Sequence, residues 1–151
     1  MQVTNRMAME FPSLSRNESF ARQAVAAFAL QAGDWTLNDL DEITTAVSEA
    51  VTNAIIHGYE DGVGDIRVEA SILDDRGIEV IVIDYGVGIE DVDQALEPMF
   101  TTKPEQERTG MGFSFMQSFM DDLEVISAPG RGTRVRMVKW LASSSPSGSQ
   151  A

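Results

Sequence analysis

Residues 48–58 read SEAVTNAIIHG, a short stretch that combines the spacing of a buried helix with two polar side chains on one of its faces. Residues four apart on an α-helix lie almost above one another, so Glu49 and Asn53 point in the same direction. Apolar residues such as Val47 and Val51 occupy other sectors of the same helix. A carboxylate and an amide that share one stripe of an apolar helix indicate that something polar lies against that stripe.

Hydrophobic periodicity on both sides of this helix predicts a series of strands and helices. The predicted helices cover residues 15–33, 36–58 and 113–120, with one helical turn near 92–96. The predicted strands cover residues 7–11, 66–72, 79–84, 123–127 and 133–140. Aromatic residues at helical spacing are predicted to lie in the core: Phe20, Phe28, Phe113, Phe115 and Phe119. This order of elements predicts an α+β two-layer sandwich, in which a mixed, mainly antiparallel sheet carries helices on one face.

Length and composition favour a single domain. The chain has 151 residues, of which 43% are hydrophobic, and this fraction is normal for a folded protein with one core. We expect the domain to cover residues 1–141. Residues 142–151, ASSSPSGSQA, have little to bury and are predicted to form a disordered tail.

The charge of the chain is strongly acidic. Acidic side chains outnumber basic ones by 24 to 11, which gives a net charge of -13. Proteins that bind nucleic acid gain affinity by neutralising phosphates with Lys and Arg, so this balance argues against direct nucleic-acid binding. A basic protein partner fits the charge better. An alternative of at least equal weight is that the negative charge simply keeps the domain soluble.

Cysteine and histidine usage restricts the metal chemistry that the chain can perform. There is no cysteine, which excludes disulfides and thiolate metal sites, and the single His57 cannot build a multi-histidine site. A metal would therefore be bound by oxygen atoms. No apolar run approaches the roughly 20 residues that span a bilayer, and the polar start MQVTNR differs from a signal peptide. We expect a cytoplasmic protein without a membrane partner.

A first candidate binding motif, Asp84-Tyr85-Gly86-Val87-Gly88, follows the apolar strand at 79–84. Glycines at alternate positions allow the backbone to approach a flat ligand closely. An ionised aspartate at the end of a strand can accept a hydrogen bond from an amino group, such as the one on adenine. Taken alone, this pattern is more often an ordinary exit from a strand into a turn.

A second motif, Thr109-Gly110-Met111-Gly112-Phe113, stands immediately before a predicted helix. Glycines at a helix N-terminus expose backbone N–H groups and the positive end of the helix dipole, which together can bind phosphate. The spacing matches neither a Walker loop nor a Rossmann fingerprint. Alone, it is more often the start of a helix than a phosphate site.

The segment before this second motif, residues 100–110, reads FTTKPEQERTG. Lys103 and Arg108 are the only cations in this otherwise acidic neighbourhood. If phosphates lie near the second motif, a segment that carries these cations could close over them as a lid. The alternative is a solvated loop.

Taken together, four motifs in this order resemble the boxes of the ATPase family of histidine kinases, gyrase, Hsp90 and MutL. They are Glu49-x-x-x-Asn53, Asp84-x-Gly86-x-Gly88, Gly110-Met111-Gly112 and Gly130-Arg131-Gly132-Thr133. Within that family, the segments NESFAR, SEAVTNAIIHGY, FTTKPE, ERTGMGF and FMDDLEV resemble the sporulation anti-sigma F factors (SpoIIAB proteins), which are serine protein kinases. This likeness covers roughly residues 7–140.

The resemblance implies a Bergerat-type ATP-binding fold and assigns roles to the matching residues. Glu49 would be the general base that orients or deprotonates the attacking serine hydroxyl, and Asn53 would be the side-chain oxygen ligand of Mg²⁺. Asp84 would accept a hydrogen bond from the adenine amino group of ATP or ADP, with help from Thr133.

For the phosphates, the resemblance implies contacts from glycine-rich backbone and from the lid. Gly86 and Gly88 would permit close approach of the nucleotide, and Arg108, with Lys103 beside it, would reach in from the lid. Backbone N–H groups of the second motif would contact the phosphates; its residues are Thr109, Gly110, Met111 and Gly112.

The resemblance also implies protein partners. Such a protein holds an RNA polymerase sigma factor inactive and transfers the ATP γ-phosphate to a serine of an anti-anti-sigma protein. Arg22 lies in the matching NESFAR segment, so we expect it to contact a partner, although a surface arginine that packs its stem is nearly as good an explanation. The first strand and first helix are expected to pair with a second copy in a homodimer.

Two alternative functions stay open on the sequence. One is the general-stress homologue, which performs the same chemistry on a different sigma factor and antagonist. The other is a nucleotide-gated binding module that sequesters a partner without transferring phosphate. The intact Glu49 argues against the second alternative, although a carboxylate can occupy that position for structural reasons.

Overall fold

The computed structural model describes residues 1–60, 62–97 and 112–142. The strands in these ranges are β1 (Val3–Pro12), β2 (Asp65–Leu73), β3 (Gly77–Asp84), β4 (Asp122–Ser127) and β5 (Thr133–Trp140). The α-helices are α1 (Arg16–Ala29), α2 (Leu37–Asn53), α3 (Val92–Ala95) and α4 (Gly112–Phe119). A 3-10 turn, Leu30–Ala32, follows α1, and a π-helical segment, Ala54–Gly58, follows α2.

The five strands form one sheet in the order β1-β2-β3-β5-β4. Every pair of neighbouring strands in it is antiparallel, which confirms the prediction of a mainly antiparallel α+β sheet. The turn between β2 and β3 contains Asp74 and Asp75, which have positive φ angles of 53° and 54°. Short polar side chains tolerate this left-handed conformation, so the DDRG sequence can close a tight hairpin.

The hydrophobic core lies between one face of the sheet and the helices. Side chains of a strand alternate between the two faces, and in β2 the buried positions are Ile66, Val68, Ala70 and Ile72. Ile66, Val68 and Ala70 belong to one cluster with the buried residues of α1 and α2, among them Val25 and Val47. The intervening positions of β2 point to the opposite face and are polar, so the helices cover one face, as predicted.

Helix α2 begins at a side-chain cap and changes its hydrogen-bond pattern at its end. The hydroxyl of Thr36 accepts the N–H of Asp39 at 3.0 Å. The α-helical part ends at Asn53, earlier than the predicted end at Gly58. Ala54–Gly58 continue as a π-helix, a rare conformation that is frequently found at functional sites.

Two further sequence-based predictions are corrected by the structure. Phe20 does not lie in the core, because α1 turns Ala21, Val25 and Ala29 inward and leaves Phe20 61% exposed. Strand β1 begins at Val3 rather than at residue 7, because its ladder with β2 runs along nearly the whole strand. Backbone pairing of this kind does not require apolar side chains, which explains why periodicity missed the first residues.

Of the predicted tail at 142–151, only Ala142 lies within the described residues. In the part of the chain that the structure describes, no helix has the length and apolar composition needed to cross a membrane.

Candidate functional site

A cavity of about 370 Å³ lies beside the end of α2 and the adjoining ends of β3 and β5. Its polar lining consists of Asn53, His57, Glu60, Asp84, Glu90, Asp91, Gln94 and Thr133. Its apolar lining comes from several elements and consists of Ala50, Ala54, Val82, Val87, Ile89, Ala95, Phe113 and Val135. Apolar walls with a few polar groups are typical of sites for flat organic ligands, and the volume is in the range of small-molecule pockets.

Asp84 is the buried polar group of this cavity. It is the last residue of β3 and only 5% exposed. Its Oδ1 accepts the N–H of Gly86 at 2.9 Å, and the backbone N–H of Thr133 also donates to the carboxylate. Burial nevertheless raises the pKa of Asp84 above its ordinary value, because the two N–H donors offset only part of the desolvation. A ligand that donates a further hydrogen bond would therefore be favourable here.

Three glycines surround the carboxylate and the turn that follows it. A Cβ atom on Gly58 would lie 2.8 Å from Cγ of Asp84, and one on Gly86 would lie 1.7 Å from the carbonyl oxygen of Gly58. Gly132 has a φ angle of 76°, and a Cβ atom there would lie 2.2 Å from the carbonyl oxygen of Asp84. Side chains at these positions would therefore collide with the main chain or with the carboxylate itself.

Main-chain packing explains why both glycines of the Asp84 motif lack a side chain, and one of them also faces the cavity. The missing side chain of Gly86 makes room for Gly58, whose carbonyl oxygen accepts the N–H of Val87 at 2.9 Å. Gly88 has a φ angle of 78°, and a Cβ atom on it would lie 2.0 Å from the carbonyl oxygen of Ala128. Gly88 also lines the cavity, so it is available for close approach by a ligand as well.

Thr133 lies on the cavity wall and is held by Ser127, a residue that the motif analysis did not identify. The two hydroxyl oxygens are 2.8 Å apart. The Ser127 hydroxyl donates to the carbonyl of Gly132 at 2.8 Å and accepts the N–H of Ile89 at 2.8 Å. Because the Ser127 proton is used on Gly132, the hydrogen bond between the two hydroxyls is donated by Thr133.

Helix α2 brings one residue of its polar stripe, Asn53, to the cavity, and Glu49 is not among the residues that line it. Asn53, its last residue, lines the cavity, and Glu49 precedes it by one turn on the same face of the helix. Both side chains are half-buried. The amide of Asn53 and the carboxylate of Asp84 therefore lie on the walls of the same cavity, although they are far apart in the sequence.

Oxygen donors near the cavity could complete the coordination of a metal ion that arrives with a ligand. Among residues 1–60, 62–97 and 112–142, no group of three or more His, Asp or Glu side chains could hold a metal ion. The amide oxygen of Asn53 is a hard donor of the kind that Mg²⁺ prefers. A single protein ligand of this kind fits a Mg²⁺ ion that keeps waters and phosphate oxygens as its other ligands.

Several predicted site residues lie outside the described part of the chain: Lys103, Arg108, Thr109, Gly110 and Met111. Gly112 is the first residue of α4, as the second motif predicts. Arg22, on α1, forms an ion pair with Glu18 one turn earlier, with 2.9 Å between Nε and Oε2. This contact explains the local position of Arg22, and its expected contact with a partner stays a prediction.

Known proteins resemble this chain in sequence and in fold. The family model described as "Histidine kinase-like ATPase domain" matches residues 11–139. The anti-sigma F factor of Thermoanaerobacter sp. (strain X514) is 56% identical over 143 residues, which make up 95% of this chain and 99% of that protein. The anti-sigma F factor of Caldanaerobacter subterraneus subsp. tengcongensis is 57% identical over 141 residues, or 93% of this chain and 97% of that protein.

Among solved structures, the histidine kinase domain of the blue-light activated histidine kinase of Erythrobacter litoralis EL346 has the same fold. It superposes with a TM-score of 0.54 at 19% identity, and the match covers 95% of this chain and 70% of that one. At this level of identity the likeness concerns the fold alone.

We expect Gly86→Ala to destabilise the protein and Gly62→Ala to leave it nearly unchanged. The alanine at position 86 would overlap the carbonyl of Gly58, whereas no atom lies within 4 Å of a Cβ at position 62. Overpacking of this kind costs about 1–3 kcal/mol, while an unhindered surface change stays within about 0.5 kcal/mol. Urea unfolding of both variants measures the difference. Equal stabilities would contradict the close packing described for Gly58 and Gly86.

We expect Asp84→Asn to stabilise the nucleotide-free protein at neutral pH. The pKa of Asp84 is raised in the folded state, so folding binds its proton more tightly than the unfolded chain does. Wild-type stability should therefore fall, relative to the uncharged variant, as the pH rises from the ordinary carboxyl range through the raised pKa, and the difference should stay constant above it. Urea unfolding across this pH range measures the effect. A variant that loses stability relative to wild type as the pH rises would contradict it.

Proposed function

The chain belongs to the histidine kinase-like ATPase family and, within it, to the anti-sigma F factors, and we propose that it is an ATP-dependent serine kinase as well as a sigma-factor inhibitor. In this proposal it binds the sporulation RNA polymerase sigma factor F in the cytoplasm and holds it inactive. It also phosphorylates the anti-anti-sigma antagonist of that sigma factor on a serine.

One observation carries the proposal: Asp84 and Asn53 line the same cavity. The first is a buried carboxylate that has room to accept a hydrogen bond from an adenine amino group, and the second is an oxygen donor suited to Mg²⁺ beside the phosphates. An ordinary strand exit would not need a carboxylate that is 5% exposed and enclosed by glycines. The combination fits a site in which a purine nucleotide is held at both its base and its phosphates.

In this proposal, the residues around the cavity have different roles in phosphoryl transfer. Such transfer depends mainly on positioning and on the stabilisation of charge, with one group that accepts the proton of the attacking hydroxyl. Glu49 lies one helical turn before Asn53, so its carboxylate is suited to accept that proton from the serine of the antagonist. A bound Mg²⁺ ion would neutralise charge on the phosphate oxygens. Thr133 and the apolar walls would hold the adenine beside Asp84.

The partner assignments rest on exposed features of β1 and α1. Strand β1 is an edge of the sheet, Phe20 of α1 is 61% exposed, and Leu30 of the 3-10 turn after α1 is 56% exposed. A free strand edge next to exposed apolar side chains favours association, which supports a homodimer through these elements. The net charge of -13 favours basic surfaces on the other partners and disfavours direct contact with nucleic acid.

Removal of the proposed general base should strongly slow phosphorylation while ATP binding is kept. We expect Glu49→Gln to slow serine phosphorylation of the anti-anti-sigma protein by about 100-fold or more, the usual contribution of a general base. Labelled ATP and the purified antagonist measure the transfer, and calorimetry measures ATP affinity. Glu124→Gln, which changes an exposed glutamate of the edge strand β4 that does not line the cavity, is the control and should keep the wild-type rate.

The outcome of this assay separates the proposal from its alternatives. Unchanged transfer in Glu49→Gln would remove the catalytic assignment. ATP binding without any serine phosphate in the wild-type reaction would favour a nucleotide-gated binding module. Transfer only to the antagonist of a general-stress sigma factor would favour the general-stress homologue over the sporulation type.

We expect Mg²⁺ to bind together with nucleotide and not before it. A neutral amide such as that of Asn53 holds Mg²⁺ weakly, so phosphate oxygens and water must supply most of the coordination. Calorimetric titration of Mg²⁺ should therefore give no measurable binding to the empty protein and clear binding in the presence of ADP. Tight binding to the empty protein would contradict this role of Asn53.

A further inference from the structure

The hydroxyl of Tyr59 joins two strands at the point where Asp84 leaves the sheet. It accepts the backbone N–H of Tyr85 at 2.7 Å and donates to the carbonyl of Asp65 at 2.6 Å. Tyr85 directly follows Asp84, and Asp65 is the first residue of β2. Burial raises the pKa of Tyr59 above its ordinary value, so the hydroxyl keeps the proton that it donates to Asp65 throughout the neutral range.

The ring of Tyr59 is held in one place by Gly64. A Cβ atom on Gly64 would lie 2.2 Å from Cε1 of the ring, so the ring fills the space that a side chain would take. Gly64 is in turn fixed to Ser13 through both of its backbone groups. The N–H of Ser13 donates to the Gly64 carbonyl at 2.8 Å, and the Gly64 N–H donates to the buried Ser13 hydroxyl at 3.1 Å. The hydroxyl of Tyr59 is therefore presented by a rigid support.

The main chain at Gly58, just before Tyr59, also contacts the segment that begins at Asp84. Gly58 packs directly against the carboxylate of Asp84, and its carbonyl accepts the N–H of Val87 at 2.9 Å. The side chain of Tyr59 binds the main chain at Tyr85, one residue after the aspartate. The two consecutive residues at the end of the π-helix thus hold the Asp84 turn at positions 85 and 87, on both sides of Gly86.

We propose that Tyr59 is a positioning residue for adenine recognition, because its hydroxyl fixes the peptide from which the Asp84 carboxylate reaches the cavity. Tyr59 itself is not among the residues that line the cavity, so its effect passes through Asp84. The inference rests on the proposed nucleotide site, in which Asp84 accepts the amino group of adenine. A role in overall packing alone would weaken the binding of every nucleotide to a similar degree.

The test compares two ligands that differ only in the group that Asp84 would recognise. ADP carries the amino group, and the diphosphate of purine riboside has a hydrogen atom in its place. Calorimetry gives the Kd of both ligands for wild type, Tyr59→Phe and Asp84→Asn. Tyr85→Phe is the matched control, because it removes a hydroxyl from a side chain that is 57% exposed and leaves the backbone N–H intact.

We expect Tyr59→Phe to raise the Kd of ADP by about five- to tenfold, the usual effect of losing one such hydrogen bond, and to change the Kd of the analogue by less than about twofold. Tyr85→Phe should change neither value. In the nucleotide-free protein, hydrogen exchange at the Tyr85 amide should be faster in Tyr59→Phe than in wild type. The double variant with Asp84→Asn should lose no more ADP affinity than Asp84→Asn alone.

Each result bears on one of the two claims. An equal loss of affinity for both ligands in Tyr59→Phe, or no loss for either, would overturn the positioning role while leaving the nucleotide site intact. Unchanged ADP affinity in Asp84→Asn would instead overturn the proposed recognition of adenine. If Tyr59→Phe fails to fold, Gly64→Ala displaces the ring while keeping the hydroxyl, and the same selective loss of ADP affinity is expected.

Discussion

The burial of one carboxylate, that of Asp84, is the constraint on which the candidate site depends. An ionised group that is buried away from water is costly unless hydrogen bonds replace the lost water. Two backbone N–H groups, of Gly86 and Thr133, replace part of it, and the raised pKa of Asp84 indicates that the replacement is incomplete. A ligand with a suitably placed amino group would donate the further hydrogen bond that the protein does not provide. The stability of the empty fold and its affinity for such a ligand are therefore opposed at this residue.

The sheet register explains how several segments meet at that carboxylate. Asp84 pairs with Ile66 of β2 on one side and with Thr133 of β5 on the other, so the ends of three neighbouring strands lie together. The end of the π-helix reaches the same place because Gly58 has no side chain to keep it away from Asp84. Close approach of main chain to main chain leaves the side chains of Asn53 and Asp84 directed at one cavity. The hydroxyl of Tyr59 then binds the main chain at Tyr85, next to this cavity-lining aspartate.

The sequence predicts those parts of the structure that depend on local patterns. The alternation of Ile66 and Val68 with polar residues predicts a strand with one buried face, and the helical stripe predicts that Asn53 is available to a polar site. Contacts between distant segments leave no such pattern, which is why the hydrogen bonds of Tyr59 and Ser127 could not be read from the sequence. The exposure of Phe20 was missed for a related reason: helical spacing groups residues into stripes but does not say which stripe faces the sheet.

Helix α4 also contributes to the cavity, and its C-terminal end is fixed by a contact with the sheet. The buried side chain of Lys139, on β5, donates to the carbonyl of Phe119 at 2.6 Å and contacts Glu42 of α2 at 3.1 Å. A cation at the C-terminus of a helix is favourable, and this one fixes the end of α4 that lies away from Phe113, the residue that lines the cavity. The N–H groups at the start of α4 have no partners within the helix, which suits them to phosphate. Lys139 and Thr133 belong to the same strand, β5. This strand therefore fixes the helices that would contact phosphates and metal, and it also carries the residue that would contact the base.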